Sequence, residues 1–460
     1  MLSKTTIERI LDAATSQGGD FAEVFCEDTF YTNVLALTEG VETSSLGRES
    51  GVGIRIFNGL NSLYGYTNDF KEDNLLAMVR QMTALLNKAA GQRSRLCDCI
   101  SYSGVHPIQQ KPVSIPLARK LEKIERALSA GKNYAPEIVQ VSVSYVDMEQ
   151  SVQIANSEGL LAEDARVKTR MHITAFAQNE QGMQTGYLGP GAMRGFEFYD
   201  DLDIEWYARE AARIATTMLR AVPCPGGQMP VVIDNGFGGL LFHEACGHSL
   251  EASSVAKGTS EFSGKLGERI ASPLVTLIDD GSLANEWGSL AIDDEGIPTR
   301  KNILIENGIL RGYLVDRLNG RRMGMAPTGS ARRKNYRFAP QARMTNTYIA
   351  NGTSTRDEII ANTERGLFVK YINGGSVNPA TGEFNFNACE SYLIENGKIT
   401  EPVKGVTLIG KGGNILQQVD MVANNLEIRQ GYCYAASGPL YIGAGQPTVR
   451  VANMTVGGAR

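Results

Sequence analysis

Along the first half of the chain the spacing of hydrophobic positions changes period several times. Ile7, Ile10, Leu11 and Ala14 recur at helical spacing, with Thr5 and Glu8 three apart as in a capping box, and predict an opening helix. The next stretches, "DFAEVFCEDTFYTNVLALTEG" and "SGVGIRIFNGLNSLYGYTND", are rich in β-branched and aromatic residues and broken by Gly and Asn, as in consecutive antiparallel strands. Helical spacing returns in "EDNLLAMVRQMTALLNKAAG" and "PLARKLEKIERALSAG". It gives way to strands in "VQVSVSYVDMEQSVQIANSEG" and "MHITAFAQNEQGMQTGYLGP", then resumes in "IEWYAREAARIATTMLRA". This half is predicted to be α+β.

The segment "VPCPGGQMP" places three prolines and two glycines between the last of these helices and the strand "VVID". A chain of 460 residues exceeds what one core usually serves, so the boundary is set here. Residues 1–222 are expected to form an N-terminal α+β domain with antiparallel strands, and 223–460 a β-rich C-terminal domain. Short strands and Gly or Asn turns dominate the second part, as in "NILIENGILRGYLV" and "ESYLIENGKITEPVKGVTLIG". "LIENG" occurs at 304–308 and again at 393–397, which reads as a recurring hairpin turn and not as a duplication.

Composition narrows the function classes. A net charge of −5 argues against a surface built to bind nucleic acid directly. Seven scattered cysteines, an odd number, do not form the dense framework of a small secreted domain and are expected to stay reduced. The opening residues lack an apolar leader core, and no run approaches the roughly 18 apolar residues of a membrane span. A soluble, cytoplasmic protein is expected.

Chemistry concentrates at "LLFHEACGHSLEA", residues 240–252, which holds two of the chain's four histidines. Asn235 is a suitable cap for a helix running through Leu240, Leu241 and Phe242 into the motif. In the H-E-x-x-H arrangement the histidines are four apart and share a face; His243 and His248 are five apart, which a regular helix turns by about 140°. A π-bulge brings positions five apart onto one face, and Gly247 lowers the cost of such a distortion. The neutral imidazoles of His243 and His248 would then hold zinc, with Glu244 beside them to take a proton from a metal-activated water. A catalytic zinc normally has a third protein ligand. Glu251 is better placed to hydrogen-bond an imidazole, Cys246 would leave the metal on one helix, and Cys389 and Cys433 are the distant sulfur candidates.

Residues 317–337 carry six arginines and one lysine. They read either as a loop grasping substrate backbone or carboxylate through Arg332 or Arg333, or as a solvated loop paired with acidic surface. Cys97 and Cys99 have the wrong spacing for a redox or zinc knuckle and are expected to be surface thiols. His106 and His172 are expected to be hydrogen-bonded structural histidines.

The combination "HEACGHSLEA", "MGMAPTGSARRKNYRFAPQARMTNTYI", "GGSVNPATGEFNFNACESYLIENGKITEPVKGVTLIG" and "GAGQPTVRVANMTVGG" resembles the TldD branch of the TldD/PmbA family of zinc metallopeptidases. The likeness spans the C-terminal half and extends more weakly to "GGDFAEVFCED" and "GVGIRIFNG". It implies one zinc per chain, held by His243, His248 and Cys433, with Glu244 as general base. It also implies hydrolysis of extended or unfolded peptides, and assembly as a homodimer or as a heterodimer with a PmbA/TldE-type subunit. The rival expectation is a regulatory protein of the gyrase-modulator type, acting by contact, in which the metal site is structural or vestigial. A purely structural zinc is normally closed by four protein ligands and has no need of an adjacent glutamate, which weighs against that rival.

Overall fold

The computed structural model describes residues 1–84, 86, 94–378 and 381–458, and shows a mixed helix and sheet architecture. The opening helix, Lys4–Ser16, buries Ile7, Ile10, Leu11 and Ala14 as their spacing predicts. Its cap is Ser3 and not Thr5: the Ser3 hydroxyl accepts from the Thr6 amide at 3.1 Å. Glu8 instead accepts from the Leu96 amide at 3.1 Å, so the long-range partner displaces the local box. The second predicted helix runs Glu72–Thr83, and most of the remainder of that stretch lies outside the described residues.

The first half is built on one sheet in which Asn61–Thr67, Gly40–Asn58, Phe21–Leu37, Ile138–Asn156 and Leu161–Asn179 follow one another as antiparallel neighbours. Helices Leu117–Lys132 and Ile204–Leu219 bury Ile124, Ala127, Ala208 and Ala212 against Tyr145 and Ile173. Helices Lys4–Ser16 and Glu72–Thr83 cover a second apolar cluster around Val24, Ile54 and Val79.

In the second half, Arg365–Val377 pairs on one side with Gly227–Ile233 and on the other with Glu383–Glu395. Val449–Gly457 and Thr407–Lys411 complete the circuit, so this sheet closes on itself and surrounds a single large core. A further sheet carries the hairpin Glu427–Ala435 and Gly438–Gln446. Both "LIENG" segments form tight hairpin turns, with Asn307, Gly308, Asn396 and Gly397 all at positive φ.

Apolar contacts, with Phe25, Val152 and Ile154 packed on Ile292 and Tyr336, join the halves, and buried charged groups clamp them. Arg55 holds Glu23 at 2.7 Å and Glu295 at 2.6 Å, Arg333 holds Glu23 at 2.7 Å, and Arg166 holds Asp294 at 2.7 Å. All are buried. Removing Arg55 leaves Glu23 with Arg333 but Glu295 as an uncompensated buried charge, so Arg55→Met is expected to destabilise the protein by about 3–5 kcal/mol. Thermal or urea unfolding checks this; a variant as stable as the parent sinks the clamp.

Candidate metal centre

The segment that carries the histidines is not one helix. Gly236–Gly239 forms a 3-10 turn, Leu240–Phe242 an α-helical turn, His243–Gly247 a π-helical turn, and His248–Leu250 a second 3-10 turn. The five-residue spacing thus meets the five-residue period that brings both imidazoles to one side. Their ring centroids lie 5.4 Å apart, with the planes at 86°. Asn235 does not cap the segment with its side chain; its amide donates to the Asn425 carbonyl at 2.9 Å. Gly247 sits at φ −58°, an ordinary helical value, so its role is space: a Cβ there would lie 2.1 Å from Met344 Sδ.

Cys433 reaches the motif from the hairpin strand Glu427–Ala435. Its Sγ stands 3.1 Å from His248 Nε2, and Glu244 Oε2 stands 3.5 Å from the same nitrogen. Ligand atoms of His243, Glu244, His248 and Cys433 all fall within 4.8 Å of one another. Cys246 is not among them. It is buried in the core, with its thiol directed at the Gly412 carbonyl. Cys389 lies elsewhere, beside Tyr187 and Tyr371.

Charge and burial fit a cation at this point. His243 is fully buried, yet neither ring nitrogen has a protein partner. Burial, then His248, Arg343 and Arg332, hold its pKa well below the ordinary value, so it is neutral, as a metal ligand must be. At His248, burial opposes a charge, but the Glu251 carboxylate and the Cys433 sulfur outweigh it and raise the pKa well above the usual value. The surroundings therefore favour positive charge between His248 Nε2 and Cys433 Sγ. Two imidazoles and a thiol form a donor set suited to zinc. Burial also raises the Glu244 carboxyl above the usual range, with His248 pulling the other way.

Glu251 and Arg343 hold His248 and Cys433 in place. Glu251 Oε1 lies 3.1 Å from His248 Nδ1, which orients the ring so that Nε2 faces the centre. Arg343, fully buried, donates to the Cys433 carbonyl at 2.9 Å and to its Sγ at 3.2 Å, and also to Ser437 Oγ and the Gly438 carbonyl. The sequence reading missed Arg343. Nothing in its neighbourhood marks it, because its partners lie about ninety residues away.

Comparison with known proteins now has a geometry to match. Models of the PmbA/TldA metallopeptidase domain 1, central domain and C-terminal domain match residues 22–86, 110–219 and 226–458. The chain belongs to the PmbA/TldD metallopeptidase family. A metalloprotease TldD homologue of Haemophilus influenzae is 35% identical over 99% of this chain and 97% of its own length. A metalloprotease of Methanocaldococcus jannaschii is 33% identical over 98% and 99%. Two solved structures share the fold: a candidate modulator of DNA gyrase from Thermotoga maritima (TM-score 0.79, 20% identity, 98% of this chain and 99% of that one) and TldE from Thermococcus kodakarensis (TM-score 0.77, 19%, 98% and 99%).

In this family member Glu244, His248 and Glu251 line a cleft of about 410 Å³, facing Gly375, Ser376 and Val377. There the strand Arg365–Val377 pairs only with Glu383–Glu395, because its parallel partner Gly227–Ile233 ends at Ile233, opposite Val369. Its other edge is unpaired among the described residues.

The basic segment divides between acidic partners at its start and the interior at Arg332 and Arg333. Arg317 holds Glu158 and Arg321 holds Asp20, both of the first half. Arg332 and Arg333 are buried: Arg332 donates to the Met344 and Tyr441 carbonyls, and Arg333 binds Glu23 and Asp294. Neither lines the cleft beside Glu244. His172 stacks on Tyr187 and bonds its hydroxyl at 2.9 Å, and His106 accepts from the Asn285 amide at 3.2 Å; both are structural. Cys97 and Cys99 are exposed thiols.

Proposed function

We propose that this chain is a zinc-dependent peptidase that hydrolyses extended or unfolded peptides. The observation that carries the reading is the convergence of His243, His248 and Cys433 on one point, with Glu244 between that point and an open cleft. Zinc bound there supplies Lewis acidity toward water and the scissile carbonyl. The work of the chain is to hold and to move protons. Glu244, its carboxyl raised by burial, accepts the proton of the attacking water and returns it to the leaving amine. Glu251 keeps His248 in the tautomer that presents Nε2, and Arg343 keeps Cys433 in place. The unpaired edge at Gly375–Val377 offers backbone groups to an extended chain, a mode of recognition that is indifferent to sequence.

The test joins metal analysis of the purified protein to cleavage of an unstructured polypeptide by wild type and Glu244→Gln. One zinc per chain in both is expected, with cleavage at least about 100-fold slower in the variant, the usual worth of a general base. Zinc present with cleavage by neither form favours instead a regulator acting by contact, with a metal site that is not catalytic.

A further inference from the structure

A second cavity, of about 470 Å³, lies between the halves, walled on one side by the strands of the first sheet. Cross-strand pairs Thr29, Gln150 and Arg166, and Tyr31, Met148 and Lys168, present one face to it. Two buried basic side chains in its wall have no carboxylate within hydrogen-bond reach among the described residues. Lys168 donates only to the Trp287 and Ser289 carbonyls, at 2.5 and 3.3 Å, and Arg332 only to those of Met344 and Tyr441, at 2.5 and 2.6 Å. They meet at Tyr441, whose ring faces Lys168 and whose carbonyl accepts from Arg332. By contrast, buried Arg55, Lys120, Arg166 and Arg333 each hold a carboxylate at 2.6 or 2.7 Å. Asp294 and Asp279 act on Arg332, and Asp164 on Lys168, only from beyond hydrogen-bond reach, and burial pulls both pKa values down; a buried charge so poorly compensated is costly and is retained where something repays it. The Thr29 hydroxyl, in the same wall and 8% exposed, also has no partner among the described residues.

We propose that this cavity receives a carboxylate of the bound peptide, its C-terminus or an acidic side chain, against Lys168 and Arg332. The path is short: Tyr432 and Tyr434 line the cavity on either side of Cys433, and Tyr434, 75% exposed, also lines the cleft beside Glu244. Of the carboxyls that line the cavity, Glu27 is pushed up to about 7 by burial and is therefore not a fixed negative charge at neutrality, Asp294 is held by Arg166 and the Arg333 amide, and Glu49 accepts from Asn335. The identity of the ligand as a peptide rests on the peptidase reading; the capture of a carboxylate does not.

The experiment is calorimetric titration of the zinc-loaded Glu244→Gln protein with three probes. These are N-acetyl-trialanine with a free C-terminus, its C-terminal amide, and the amide of N-acetyl-Ala-Glu-Ala. At least one acid is expected to bind 10-fold or more tightly than the uncharged amide, and which one does identifies the source of the carboxylate. Lys168→Met is expected to remove that preference and leave amide binding unchanged. Should Lys168→Met fail to fold, Met148→Trp, which fills the cavity from a half-buried position, is expected to do the same. Equal binding of all three probes, or a preference that survives either folded variant, overturns the carboxylate site while leaving the peptidase reading intact. A Lys168-dependent preference in a protein whose wild type never cleaves peptides upholds the site and removes the peptidase.

Discussion

Cys433→Ser is expected to lose zinc by more than about 100-fold in affinity, beyond the cost of losing an outer-shell partner, and to lose activity with it. Cys433 approaches the centre from the hairpin strand, 3.1 Å from His248 Nε2, and supplies the one sulfur in the cluster. A thiolate is deprotonated outright on a metal, whereas a serine hydroxyl is not, so the substitution removes both a ligand and a negative charge. The fold should survive, because a hydroxyl of similar size still accepts from Arg343 and the metal sits beside a cleft, not in place of a core. Cys246→Ser is the control. That thiol packs in the core against Gly412, away from the ligand atoms, so zinc and activity should stay within a few-fold, at a stability cost of about 1–3 kcal/mol for burying a hydroxyl. Competition with a chromogenic chelator gives the affinities, and circular dichroism reports the fold. If Cys246→Ser strips the metal and Cys433→Ser keeps it, the ligand set must be rebuilt around the motif helix.

The part of this site that local spacing could carry was legible. Histidines five apart demand a π turn if they are to share a metal, and a π turn is what His243–Gly247 forms. Glu251, three residues after His248, could be placed against its ring for the same reason. Local reasoning failed where a distant partner won. Thr5 and Glu8 look like a capping box, but Glu8 is drawn to Leu96 and the cap passes to Ser3. Gly247 was expected to relieve the backbone; it relieves Met344, a contact almost a hundred residues away. The closed sheet of the second half could not be read at all, since its closure depends on pairing 231–233 with 367–369, and hydrophobic alternation says nothing about which strand is the neighbour. The basic run 317–337 was legible only in part: Arg317 and Arg321 pair with acidic groups, as one of the two readings expects, whereas nothing in a dense cluster of arginines says that Arg332 and Arg333 lie in the interior.

Arg343 follows from the same limit, and substituting it is expected to have the second largest effect. Its guanidinium donates to the Cys433 sulfur, which otherwise meets His248 Nε2, and it ties that residue's carbonyl to Ser437 and Gly438 across the hairpin turn. Arg343→Met removes four hydrogen bonds at once and leaves buried acceptors unsatisfied, at roughly 3 kcal/mol in stability. The zinc should weaken by about 10- to 100-fold, the range for residues that orient metal ligands without touching the metal. Arg343→Lys keeps the charge but offers a point ammonium in place of a planar fork, so it can serve the sulfur or the carbonyls and not both. It should therefore recover most of the stability and only part of the affinity. That split is the informative readout: a residue that merely fills space would be rescued equally by methionine and lysine, and a residue that merely carries charge would be rescued fully by lysine. Zinc titration beside thermal unfolding of both variants decides among these outcomes, and wild-type zinc affinity in Arg343→Met removes Arg343 from the metal centre.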